Sequence, residues 1–143
     1  MQPRRRFTHA HRQRLERAAE IYLRDCYRKR TAARASEFAS FMGLTQPYLS
    51  RIVPEIMGMP VRDFLRARQL AYAAELLRST PLPVHQIALA SAFGTKSTFH
   101  RCFVLAFGKT PSAYRDEVMK RDSGRKLELP NLAAHPERRM KFS

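Results

Sequence analysis

Apolar residues recur along this chain with the period of a helix, and the recurrences break at regular intervals. From about Thr8 to Lys29 the positions Leu15, Ala18, Ala19, Tyr22, Leu23 and Cys26 share one helical face, with Thr8 placed to cap its start. A short apolar run, Ser36 to Met42, predicts a helix that turns Phe38, Ala39 and either Phe41 or Met42 inward. Gly43 follows as a turn, Thr45 as an N-cap, and Leu49, Ile52, Val53 and Ile56 as the buried stripe of the next helix, which Gly58 stops. Pro60 opens a longer helix to about Ser79, with Phe64, Leu65, Leu70, Ala73, Ala74, Leu76 and Leu77 on its apolar side. After Pro81 and Pro83 the pattern begins again. Val84 to Ala92 reads as a helix, Phe93-Gly94 as a turn and Thr95 to Phe107 as a helix ended by Gly108. Thr110-Pro111 then opens a last helix through about Lys120.

The second half is a copy of the first. At a shift of 50 residues Leu49 falls on Phe99, Arg51 on Arg101, Val53 on Phe103, Gly58 on Gly108 and Phe64 on Tyr114. Just upstream the shift is 49, so Ala39 meets Ala88, Gly43 meets Ala92 and Leu44 meets Phe93. Each copy is a short helix, a tight turn and a second helix carrying an arginine, which is a helix-turn-helix. The fold expected is all-α, with two helix-turn-helix subdomains joined by a long linker helix, about seven helices in total. The divisions are a basic arm over 1–7, a first subdomain over 8–59, the linker over 60–80, a second subdomain over 81–122 and a disordered tail over 123–143.

Charge narrows the partner. With 27 Lys+Arg against 12 Asp+Glu the formal net charge is +15, which favours a polyanion and most simply nucleic acid. The two cysteines, Cys26 and Cys102, form no CxxC pair and read as small buried hydrophobes, so neither a zinc site nor a disulfide framework is expected. No run of 18 apolar residues exists, and the Arg4-Arg5-Arg6-Phe7 start is followed by no apolar stretch. A reducing cytoplasm is the expected compartment. Ser, His, Cys and acidic residues show no nucleophile or metal spacing, so neither enzymatic activity nor a cofactor is expected.

Ile87-Ala88, Phe93, Ser97, Phe99, Arg101, Phe103, Phe107-Gly108, Thr110-Pro111 and Tyr114-Arg115 resemble the second helix-turn-helix of the AraC/XylS family. Ala39, Gly43-Leu44, Tyr48-Leu49-Ser50-Arg51 and Gly58 resemble its first unit less tightly. The resemblance implies a sequence-specific bacterial transcription regulator. It places two recognition helices in successive major-groove turns of double-stranded DNA, and many such proteins activate by touching RNA polymerase. The length here leaves no room for a sensor domain, which implies the small stand-alone members, associated with the nucleoid. Two readers in one chain make a monomer sufficient.

The residues expected to meet DNA lie on the outward faces of the two recognition helices: Gln46, Pro47, Ser50 and Arg51 in the first, Thr95, Lys96, Ser97, His100 and Arg101 in the second. Arginine can pair with guanine O6/N7 and glutamine with adenine, whereas proline offers only apolar contact. Arg62, Arg66, Arg68, Lys109 and Arg115 are candidates for phosphate contact.

Three departures weigh against an intact reader in each unit. Pro54 falls within the first recognition helix, which is expected to bend or end near Val53. Ala92 stands at a turn position where the pattern has glycine, with Gly94 nearby to relieve it. Val104, Leu105 and Ala106 put apolar residues where relatives carry Lys or Arg. The alternatives are therefore a basic nucleoid or RNA-binding protein without base readout, and a protein-interaction module working through Val104–Ala106.

Overall fold

Seven helices make up the described part of the chain in the computed structural model, which covers residues 7–127: α1 (His9–Lys29), α2 (Ala35–Phe41), α3 (Gln46–Met57), α4 (Val61–Ser79), α5 (Val84–Ala90), α6 (Lys96–Phe107) and α7 (Pro111–Leu127). Most of the arm expected over 1–7, and the tail from 128 onward, lie outside the described residues. The part of that tail over 123–127 is helical, because α7 continues past Lys120 to Leu127. The spacing of Asp116 to Lys120 and Glu117 to Arg121, acid four residues before base, favours this continuation.

The helix ends follow local chemistry. At the start of α1, His11 Nδ1 accepts the Thr8 backbone N–H at 2.9 Å and lies 3.0 Å from the Thr8 hydroxyl. Thr45 accepts from the Tyr48 N–H at 3.3 Å, Thr95 from the Thr98 N–H at 3.1 Å, and Thr110 from the Ala113 N–H at 3.1 Å. Gly58 and Gly108 close α3 and α6 at φ of 79° and 75°, a left-handed conformation that a Cβ disfavours.

Pro54 does not end α3, which runs on to Met57. The helix survives because the proline sits on its exposed side. Ser50, whose carbonyl loses its partner, is exposed as well, so water can satisfy that carbonyl. Buried Leu49, Ile52 and Val53 hold the opposite face. The choice between Phe41 and Met42 falls to Met42, which packs against the core, while Phe41 is 49% exposed.

Two hydrophobic clusters form, and α4 belongs to both. Its first half (Val61, Phe64, Leu65) completes a core with Leu15, Leu23, Phe38, Leu49 and Val53. Its second half (Leu70, Ala73, Ala74, Leu77) completes another with Ile87, Phe99 and Phe103. The linker is thus a shared wall as well as a spacer, about 28 Å long at 1.5 Å per residue over its 19 residues.

Ala92 itself takes the left-handed conformation, at φ 68°, and Gly94 does not relieve it, since Gly94 is also left-handed at φ 86°. The Cβ penalty of about 1–2 kcal/mol is offset by what the residue gains. Its methyl is buried in the first core, and its carbonyl accepts the Ala33 N–H at 3.0 Å and the Gln69 Nε2–H at 2.8 Å.

Tyr27 of α1 stacks on Tyr72 of α4, with ring centroids 4.2 Å apart. Burial holds the Tyr22, Tyr27 and Tyr114 phenols above the usual tyrosine range, with the neighbouring Tyr72 adding to the effect at Tyr27. The neutral phenols are favoured in the folded state. Below about pH 10 they are neutral in both states and stability is unaffected; above it the unfolded chain ionises first and folding loses free energy. The melting temperature is expected to be flat toward pH 10 and to fall beyond it. Tyr27→Phe should lessen that fall, as thermal denaturation across pH 8–12 would show.

Candidate nucleic-acid interface

In α3 and α6 the same helical register separates a buried stripe from an exposed one. Leu49, Ile52 and Val53 are buried in the first, and Phe99, Cys102 and Phe103 in the second. The residues at i, i+1, i+4 and i+5 on the other side are all exposed: Gln46, Pro47, Ser50 and Arg51, and, at a shift of 50, Lys96, Ser97, His100 and Arg101. Thr95 is exposed too, but its side chain is engaged as the α6 N-cap and lies 3.0 Å from the Thr98 hydroxyl. That arrangement relieves Ser97 of a capping role, and its hydroxyl has no hydrogen bond among the described residues.

The two arginines differ in their surroundings. Arg51 lies over the Tyr48 ring, 5.1 Å from its centroid, in a cation–π contact that orients the guanidinium. Arg101 has no such neighbour and makes no ion pair among the described residues. Sequence reasoning passed over Tyr48, although an aromatic residue three positions before an arginine on a helix was the available signal.

Not every basic residue expected to meet phosphate is available. Arg115 Nε donates to the Leu77 carbonyl at 3.0 Å and its Nη2 to the Thr80 carbonyl at 3.1 Å, so it caps the C-terminal end of α4. Arg68 covers the Phe64 ring and pairs with Glu16 at 3.8 Å, and Lys109 pairs with Glu117. Arg12, overlooked in the sequence, donates to the Ile56 carbonyl near the end of α3 at 3.3 Å. Arg62 is exposed and Arg66 half-buried, neither with an ion pair among the described residues. Arg115→Met is therefore expected to cost stability, roughly 1–2 kcal/mol, and to leave the salt dependence of DNA affinity unchanged. Thermal melts and a salt titration would check both parts.

A family model described as a helix-turn-helix domain matches residues 38–117, more than half of the chain. The transcriptional activator AarP of Providencia stuartii is 35% identical over 79 residues, 55% of this chain and 58% of AarP. The regulatory protein SoxS of Escherichia coli is 36% identical over 76 residues, 53% of this chain and 71% of SoxS. The chain belongs to the AraC/XylS family. That family is one of DNA-binding transcription regulators, and this chain carries its helix-turn-helix module. The match spans a little over half the length of AarP, and 27% of the right origin-binding protein of E. coli.

Solved structures share the fold. The C-terminal domain of AraT, a response regulator from Geobacillus stearothermophilus, superposes with a TM-score of 0.63 at 29% identity, covering 72% of this chain and 84% of that domain. The DNA-binding domain of AdpA, solved with a target DNA, gives 0.66 at 18% identity over 75% of this chain and 94% of that one, a likeness of fold. Among the described residues no helix is long and apolar enough to cross a membrane, and no three His, Cys, Asp or Glu side chains are grouped to hold a metal.

Proposed function

We propose that this protein is a sequence-specific transcription regulator acting at bacterial promoters, with α3 and α6 entering successive major-groove turns on one duplex. The observation that carries this reading is the duplicated exposed stripe, Gln46, Pro47, Ser50 and Arg51 repeated as Lys96, Ser97, His100 and Arg101 on helices of identical register. The length of α4, about 28 Å, is close to the ~34 Å of one DNA turn. Arg51 and Arg101 supply guanine or phosphate contacts, and Gln46 can read adenine. Thr95, whose hydroxyl is already engaged in capping, positions the helix beside the backbone. The surplus of positive charge supplies the non-specific part of the affinity.

On this reading the protein works as a monomer in the cytoplasm, associated with the nucleoid, without catalysis of its own. Contact with RNA polymerase fits the same reading. Leu105 is 82% exposed on α6, and with Val104 and Ala106 it offers the apolar surface that a protein partner would cover. The deciding experiment selects a preferred duplex from a random pool and compares its affinity with that of scrambled DNA at fixed salt. A ratio on the order of 10³ or more is expected. Equal affinities with a steep salt slope would show instead a basic nucleoid or RNA-binding protein without base readout.

A further inference from the structure

Gln69 is the one uncharged polar side chain of α4 that the fold takes out of water, at 3% exposure, and it lies where the two halves of the molecule meet. Its Nε2 donates to the Ser91 carbonyl at 3.1 Å and to the Ala92 carbonyl at 2.8 Å. Both carbonyls belong to the turn between α5 and α6, directly before the second recognition helix. The Ala92 carbonyl also accepts the Ala33 N–H, from the loop that leads into α2 of the first unit. Three segments, one from each unit and one from the linker, therefore converge on a single carbonyl.

Other contacts brace the same seam. Arg30 Nη1 donates to Gln86 Oε1 at 2.7 Å, across the loop after α1 and the body of α5. A Cβ at Gly94 would lie 3.2 Å from the Ala32 Cβ, so the two loops approach each other closely there. The left-handed Ala92 keeps its methyl in the first unit's core while its chain belongs to the second. The chemistry at position 69 is specific. An amide NH2 can serve two carbonyls at once, an apolar isostere can serve neither, and a carboxylate would be repelled by both.

We infer that Gln69 is a positioning residue that locks the α5–α6 turn to the first unit, and so sets the spacing between half-sites that the protein accepts on DNA. The inference rests on the two-reader function proposed above. Two rigidly linked readers gain from each other only when the DNA presents its half-sites at the matching separation, and a loose linkage loses that selectivity.

The test uses the full chain with Gln69→Met, close in size but without donors, and a set of duplexes in which the preferred half-sites are moved apart in single base-pair steps. Wild type is expected to lose on the order of 10²-fold in affinity when an insertion of about half a helical turn puts the half-sites on opposite sides. Gln69→Met should flatten the loss produced by a single inserted base pair to roughly a few-fold, while the half-turn insertion still separates the two readers because α4 stays continuous. It should bind an isolated half-site as wild type does. Spin labels at Glu55→Cys and Ala106→Cys, both exposed positions, report the same event directly, since native Cys26 and Cys102 are buried. A single narrow distance in wild type should broaden in the Gln69→Met background. If that variant fails to fold, Arg30→Ala, an exposed change at the same seam, takes its place in the distance measurement and should broaden it to a lesser degree. An unchanged spacing profile together with an unchanged distance distribution overturns the inference alone. A wild-type protein indifferent to half-site spacing overturns the two-reader reading, and this inference with it.

Discussion

Arg101→Ala is expected to weaken binding to the preferred duplex by 5- to 150-fold, about 1–3 kcal/mol, the discrimination carried by one bidentate arginine–guanine pair. Binding to scrambled DNA should fall much less, because removing one of many positive charges changes the non-specific term only slightly. Arg101 is the sharper probe of the two arginines. It is exposed on α6 without an ion pair among the described residues, so its loss leaves no partner stranded and the fold intact. Arg51→Ala also removes the contact over the Tyr48 ring, and its effect mixes readout with the loss of that packing. Competition binding at one salt concentration, with circular dichroism to confirm folding, separates these cases. A uniform loss across all sequences would assign Arg101 to the phosphate backbone.

Phe103→Ala is expected to destabilise the protein by about 3–5 kcal/mol, the range for emptying a phenylalanine site in a packed core. Phe103 is fully buried and central to the aromatic cluster of the second unit. Its ring stacks on Phe107 at 4.2 Å and meets Phe99 and Tyr114 edge-on at 5.6 and 5.4 Å. Neighbouring rings are too large to collapse into the space. For a domain of this size the melting temperature should drop by roughly 10–20 °C. Because the two cores are distinct clusters, the loss should fall first on the second unit. Hydrogen exchange would then show α5 and α6 opening at lower free energy than α1 to α3. A single cooperative loss of protection throughout the chain would mean that α4 couples the cores more tightly than their separation suggests.

Helices α3 and α6 were legible in the chain because their signals are local. A threonine before a helix, a glycine after it, and apolar residues three and four apart state where α3 and α6 begin, end and turn, and the shift of 50 residues placed both exposed stripes. What was misjudged depended on which way a residue faces. Pro54 is tolerated because it points to water, on the side of α3 away from the stripe of Leu49, Ile52, Val53 and Ile56, and the expectation of a break gave the residue type more weight than its facing. Arg115 carries the same charge as Arg62, yet it spends its donors on the end of α4, thirty-five and thirty-eight residues away in the chain. Gln69 stands four residues from Leu65 and from Ala73, on the apolar side of α4, but the carbonyls that satisfy it lie more than twenty positions downstream and leave no mark in the local chain.

The order of elements, their caps and the duplicated arginine-bearing helix follow from residue types and their spacing alone, because hydrogen bonding and burial within a helix are decided over a few residues. How the two units sit against each other, which basic groups remain free for a polyanion, and whether a polar side chain is buried were decided only when α1, α4 and α5 came together. Those outcomes rest on carbonyls and cavities that distant segments create, and such partners have no signature in the local chain.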